Sequence, residues 1–535
     1  MKKNLMTLAA VLCCTTMMVL TSCSTDDNPV TEYYDYDEAF SYTYQGQKLY
    51  YIVNPEGEAV VVSPMYPDID LDNEESWTGF DKPQGDVVIP DYVPFNGSNC
   101  PVREVGNYAF LKCDEITSIT LPTTLRSVGA YCLFSCTGLT ELTIPEGVTS
   151  IGNGAFRYCT NLKTINIPEG VTSINEWVFA NCESIESITL PKSVSVLGGA
   201  AFYNDVNLVS VNLQEGLDSI GNWAFGYCKK LETITIPKSV TKIGDVVFYG
   251  DVNLVSVNLQ EGLESIGNWA FSSCPNLESI TFPKGLTKIG DYAFSDNQKL
   301  VSINLQEGLE YIGEWAFGCC ESLESITLPK SLSVISGAAF YEDVNLVSVN
   351  LQEGLDSIGD WAFGRCESLE SITLPKSVTK LGIKTFFGCS SMSSIVIPEG
   401  MTSIGQASFS YCEKLQEVLL PSTLTAISES CFEKAEMLTS IVIPENVSVI
   451  DSFAFYECTN LKQVTLPAAL TAIGDSVFAN DKSIETITLH CAVPPTLGKG
   501  VFTQYNAKLI VPKGAADAYR KDETWGLFAT IEEEE

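Results

Sequence analysis

Fifteen phenylalanines, at 156, 179, 202, 225, 248, 271, 294, 317, 340, 363, 386, 409, 432, 455 and 478, each follow the last by 23 residues. Phe110, Phe134 and Phe502 extend the series with one-residue slips, so eighteen landmarks mark about eighteen coils. A period this short leaves each unit too few apolar residues to bury a core of its own. Stacked neighbours must supply the rest, which is the physical logic of a solenoid. A chain of 535 residues, at ~150 residues per domain, would otherwise suggest three or four domains. A solenoid grows by adding coils to one continuous core, so that expectation does not apply.

The string from Ile151 to Pro168, IGNGAFRYCTNLKTINIP, shows how one coil is built. Ile165 and Ile167 alternate with Thr164 and Asn166, the period-two signature of a short strand with one face inward. Pro168 has no N–H to continue a ladder, and Glu169 and Gly170 turn the chain toward Val171 and Ile174 on the next side. Ala155 and Phe156, between Gly152 and Cys159, fit one turn of α or 3₁₀ helix on the outer side. At ~4.8 Å per paired strand, about eighteen coils make a curved surface roughly 80 to 90 Å long.

This spacing and motif closely resemble the bacterial leucine-rich repeats of the BspA-like surface-protein family. The resemblance covers residues 104–490 and implies an α/β solenoid, a right-handed superhelix with short parallel strands on its concave face. The flanks resemble the family's caps: a β-rich N-terminal cap over 39–103, with a hairpin turning at Asn54, Pro55, Glu56 and Gly57, and a C-terminal cap over 491–535. Such proteins are implicated in adhesion and partner binding, so the resemblance implies a protein ligand on a host or neighbouring cell.

A second period of 46 overlies the first. Lys192, Glu215, Lys238, Glu261, Lys284, Glu307, Lys330, Glu353, Lys376 and Glu399 alternate in sign from coil to coil. A two-coil copy thereby stacks opposite charges ~4.8 Å apart, each surface pair contributing about 0 to 1 kcal/mol. Trp177, Trp223, Trp269, Trp315 and Trp361 stand two residues before alternate phenylalanines. Indoles ~10 Å apart suit either a platform for sugar rings or packing over the core. On the outward strand positions Asn212, Asn258, Asn304 and Asn350 alternate with threonines and offer neutral donors and acceptors to a ligand. From Glu417 and Leu419 onward the pattern loosens, which marks an alternative, local binding site.

At the N-terminus Lys2 and Lys3 precede an apolar stretch from Leu5 to Leu20, too short for the ~20 residues of a spanning helix. It reads as a signal peptide over 1–22. Leu20, Thr21, Ser22 and Cys23 resemble a lipobox, which implies lipidation of Cys23. An acidic, tyrosine-rich tether over 23–38 follows, and its Asp26 and Asp27 resemble the surface-export signal of Bacteroides-type lipoproteins. The expectation is an outer-membrane lipoprotein, lipid-anchored and exposed at the cell surface.

The chemistry of catalysis is not signalled. There is a single histidine, His490, and no CxxC, HExxH, GxSxG or P-loop motif. His490 stands where other coils place the strand-ending proline, so it belongs to the transition into the C-terminal cap. Cysteines three residues after the phenylalanine read as inward-facing free thiols, and the aspartates that replace them read as acceptors of N–H groups within their own turns. No metal site, cofactor or enzymatic activity is expected. The formal charge, 31 − 67 = −36, argues against nucleic acid and other polyanions. The reading is a monomeric surface lipoprotein that binds a protein partner through an extended face; the alternatives are a glycan-binding lipoprotein using the tryptophan row and a self-associating scaffold.

Overall fold

The computed structural model describes residues 38–65 and 75–535. Cys23, the apolar leader and the tether up to residue 37 lie outside the described residues. The array is a parallel β-solenoid of about nineteen turns, and each 23-residue period closes one turn with three sides.

The first side carries strands such as Ser187–Thr189, whose central residue is buried while its neighbours face outward. It pairs in parallel with Ser210–Asn212 at a register of 23, Ser187 with Ser210 and Thr189 with Asn212. Two-residue strands on the second side form an unbroken ten-stranded sheet from Ser173–Ile174 to Lys380–Leu381.

The third side, where one helical turn was expected, is built from alternating turns. Trp177, Phe179 and Asn181 donate their N–H groups to the carbonyls of Gly199, Ala201 and Tyr203 in the next coil, at 2.9, 2.9 and 2.8 Å. Between them Ala180 and Cys182 donate back to Trp177 and Phe179 in their own coil. A helix would spend every N–H along its own axis and leave adjacent coils unpaired. The alternation places Trp177 and Asn181 in the left-handed region, at φ 61° and 62°, and the same two positions recur with positive φ along the array. That conformation costs an L-residue about 1–2 kcal/mol, here offset by hydrogen bonds between coils.

Inside, the phenylalanines stack into one column from Phe156 to Phe502, with neighbouring ring centroids 5.0 to 5.6 Å apart and planes within 24°. One hydrophobic cluster runs from Leu49 to Phe528 without a break.

The alternating Lys/Glu column does not meet through ion pairs among the described residues. Glu307 instead accepts the backbone N–H of Lys330 at 3.1 Å, and Glu353 accepts those of Lys376 and Ser377 at 3.2 and 3.3 Å. In return the Ser331 and Ser377 hydroxyls accept the N–H groups of Gly308 and Gly354, each at 3.0 Å. Glu-Gly in one coil thus fits Lys-Ser in the next, a complementarity that a two-coil copy preserves.

Both ends are covered. At the N-terminus β1 (Phe40–Tyr44), β2 (Gln47–Val53) and β3 (Ala59–Val62) form an antiparallel meander, turning after β2 where Gly57 N–H donates to Asn54 O at 2.9 Å. At the C-terminus strand Lys508–Val511 continues the first side, and Thr530–Glu533 pairs beside it in parallel. The helix Ala516–Lys521 lies between them in sequence. Trp525 is buried with its indole N–H on Pro495 O at 3.0 Å, and His490 Nδ1 lies 2.9 Å from Glu534 Oε1. The last strand carries Glu532 and Glu533, and an edge loaded with like charges resists pairing with a second chain.

Candidate binding faces

The tryptophan row is built into a wall. Tyr203 fills the gap between Trp177 and Trp223, at centroid distances of 5.8 and 5.7 Å, and Tyr249 that between Trp223 and Trp269, at 5.9 and 6.3 Å. Tyr292 lies parallel to Trp269 at 4.0 Å and to Trp315 at 5.9 Å, and Tyr341 bridges Trp315 to Trp361 at 4.8 and 5.6 Å. Trp223 is buried and the other four are half-buried. The interleaving tyrosines escape a search for tryptophan alone; reading the residue just after each phenylalanine would have found Tyr203, Tyr249 and Tyr341.

The cysteine column faces inward. All sixteen cysteines in the described residues are free, and all but the half-buried Cys319 are buried. Cys182, Cys228 and Cys274 each direct Sγ to the carbonyl of the phenylalanine one coil back, at 3.1 Å. Burial pushes the thiols of Cys159 and Cys412 up to about 12, so neither supplies a thiolate nucleophile at neutral pH. The aspartates at this position do not bond within their own turns: Asp205 and Asp343 accept the N–H groups of Cys182 and Cys320 in the preceding coil, both at 2.8 Å. The Cys182 N–H is shared between Asp205 Oδ1 and the carbonyl of Phe179 in its own coil, at 2.8 and 2.9 Å. Among the described residues no three His, Cys, Asp or Glu side chains are grouped to hold a metal ion.

On the first side Asn212, Asn258, Asn304 and Asn350 all lie at outward-facing positions of their strands. They alternate with Thr189, Thr235, Thr281 and Thr327 in one column. Three coils break this polar column: Val396, Leu419 and Val442 occupy it consecutively and are 57%, 52% and 66% exposed. Val396 and Leu419 are direct strand partners. Other exposed aliphatics behave differently. Val209, Val255, Val301 and Val347 are separated by the intervening Glu232, Glu278 and Glu324, so they remain isolated spots. Contiguity is what distinguishes an interaction patch from ordinary surface apolarity. Around the stripe stand the exposed Glu399, Glu417 and Glu445.

A family model described as the BspA type leucine rich repeat region matches residues 98–209, 197–297, 270–393 and 380–508. Among solved structures, a leucine-rich repeat protein from Bacteroides ovatus is 24% identical, with 92% of this chain and 100% of that chain covered and a TM-score of 0.50. A leucine rich cell surface protein from Faecalibacterium prausnitzii is 22% identical over 84% of this chain and 94% of that one, with a TM-score of 0.33. No curated protein sequence matches the chain.

Proposed function

Because the chain belongs to the BspA-type leucine-rich-repeat family, we propose that it is a cell-surface binding scaffold whose strand face docks a protein partner. The observation that carries this reading is the stripe of Val396, Leu419 and Val442, three exposed aliphatics on consecutive coils of a column that is otherwise threonine and asparagine from Thr120 to Thr488. A partner segment with aliphatic side chains and basic flanks complements it, given Glu399, Glu417 and Glu445 at its border. A rigid parallel sheet presents such contacts without rearrangement, which lowers the entropic cost of association.

The test is capture of surface proteins from cells or matrix by the immobilised full chain. Val396→Ser, Leu419→Thr and Val442→Thr combined should weaken the partner's retention by about 10-fold or more, since buried anchors at an interface centre contribute ~2 kcal/mol or more. The corresponding polar exchange at Val209 and Val301 should have little effect. Equal retention by both variants would remove this stripe as the anchor.

We assign anchoring to Cys23 and place the array at the outer face of an outer membrane, supported by the lipobox-like Leu20 to Cys23 and by Asp26 and Asp27 behind it. No helix among the described residues is long and apolar enough to cross a membrane. Cells fed labelled palmitate should incorporate it into the parent chain and not into Cys23→Ala, with the variant shifting to the soluble fraction. Incorporation that survives the substitution would refute this anchor. The acidic edge strand supports a monomer.

A further inference from the structure

Although the chain carries 67 acidic residues against 31 basic ones, one part of its turn side has the opposite character. Four coils, those of Phe156, Phe179, Phe202 and Phe225, surround an open concavity of about 500 Å³, within the range of small-molecule sites. Two cations line it, Arg157 and Lys229, and no carboxylate does. Among the described residues neither cation forms an ion pair. By contrast, Arg365 and Lys434, farther along the array, are neutralised by Glu342 at 3.2 Å and Glu457 at 3.4 Å.

The Arg157 guanidinium is held by rings. It lies 4.4 Å from the Trp177 ring centroid and 5.1 Å from that of Tyr158, and its buried Nε has no hydrogen-bond partner. Beside it Asn204 Nδ2 donates to Asn181 Oδ1 at 2.8 Å, which leaves the Nδ2 of Asn181 and the Oδ1 of Asn204 as a donor and an acceptor. Tyr203 and Tyr227 complete the aromatic lining. Tyr158, Trp177, Asn181, Asn204 and Tyr227 all sit at the left-handed positions of the turn ladder, where inter-coil hydrogen bonds fix the backbone. The lining is therefore preorganised.

We propose that this concavity binds a sugar ring bearing one carboxylate, a uronic or sialic acid. The Arg157 guanidinium, or the Lys229 ammonium three coils away, suits the carboxylate, aromatic faces suit the apolar C–H face of a pyranose, and an amide pair suits its hydroxyls. The whole-chain charge of −36 repels densely charged polymers at long range. A single carboxylate on a largely neutral ring gains the local cations with the least repulsion. The site lies on a different side of the coil from the strand face and does not depend on the protein-docking reading above.

Calorimetric titration of the purified full chain with matched sugars tests this: galacturonic acid against galactose, and sialyllactose against lactose, with tetraglutamate as the acidic-peptide arm. The carboxylated member of each pair should bind about 10-fold or more tightly than the neutral one, and Arg157→Gln with Lys229→Gln should remove that difference. Trp177→Leu should weaken both carboxylated sugars, whereas Lys513→Gln, in the C-terminal region, should change nothing. Melting curves of each variant separate lost contacts from lost folding. Equal binding of neutral and acidic sugars, tetraglutamate binding with the same dependence on Arg157 and Lys229, or no binding of any carboxylated sugar at millimolar concentration would each overturn the assignment. None of these outcomes bears on the Val396, Leu419 and Val442 stripe, because that surface is read by partner capture.

Discussion

Replacing Asp205, Asp251 and Asp343 by asparagine is expected to stabilise the folded chain at neutral pH and to flatten its stability against pH. In most coils the side chain three residues after the phenylalanine gives a hydrogen to the carbonyl of the phenylalanine one coil back. Cys182 does so through its thiol, and Asn297 through Nδ2, which donates to Phe271 O at 3.0 Å and to Phe294 O at 2.9 Å while its Oδ1 accepts Cys274 N–H. A carboxylate has no hydrogen to give; a carboxylic acid does.

Asp205 and Asp343 each leave Oδ2 without a partner, and Asp251 and Asp481 leave both oxygens so. Complete burial holds the carboxyls of Asp205, Asp251 and Asp343 well above the usual carboxylate range, with Glu183 adding to the rise at Asp205, and burial pushes Asp481 up to about 9. In the unfolded chain an aspartate ionises near ~3.9. Below that value the group is protonated in both states and its contribution is complete. As pH rises, folding must take up a proton, so stability falls by about 1.4 kcal/mol per pH unit and per residue until the folded group itself ionises, for Asp481 at about 9. For a carboxyl still protonated at about pH 7 the accumulated loss is about 4 kcal/mol. Asparagine supplies the same donor with no proton to take up. In denaturant titrations the parent and the triple asparagine variant should be alike near pH ~4 and diverge toward pH ~8, with the variant the more stable. Parallel curves, or a variant weaker at neutral pH, would show that these carboxyls are ionised in the folded state.

Why the sequence suggested something else for these aspartates follows from where the contacts lie. Reading one coil at a time gives the strand at Ile165 and Ile167, the stop at Pro168 and the inward phenylalanines, because each is encoded within a few residues. The donor to Asp205 lies 23 residues away and the acceptor for the Cys182 thiol 26 away, so no local pattern contains them. The Lys/Glu alternation is visible as charge, yet its chemistry resides in backbone N–H groups and in Ser331 and Gly308, which carry no charge. Left-handed backbone at Trp177 and Val246 was illegible for a different reason. Neither side chain favours it, and only the demand of adjacent coils for axial hydrogen bonds imposes it. The Val396, Leu419 and Val442 stripe is plain once every 23rd residue is aligned. The concavity at Arg157 takes half its lining from one column, Tyr158, Asn181, Asn204 and Tyr227 two residues after each phenylalanine, but the residue type changes along that column and Arg157 and Lys229 stand outside it, so no repeated residue marks the site.

The largest single-residue loss is expected at the centre of the phenylalanine column. Phe294 is fully buried, stacked on Phe271 at 5.1 Å and Phe317 at 5.3 Å, and met edge-on by Phe282 at 5.5 Å. Phe294→Ala removes contacts with three rings at once. The adjoining coils are locked by backbone hydrogen bonds such as Phe294 N–H to Ala316 O at 2.7 Å, so they cannot collapse into the space. A loss of about 3–5 kcal/mol follows for a cavity that does not close. In a solenoid each coil touches only its neighbours, so the damage also weakens the coupling between the two halves. Hydrogen exchange should show protection falling most sharply in the coils of Phe271, Phe294 and Phe317, and urea melting should change from one transition to two. A loss below about 1 kcal/mol, or protection falling equally along the whole array, would mean that the aromatic column is not what couples the coils.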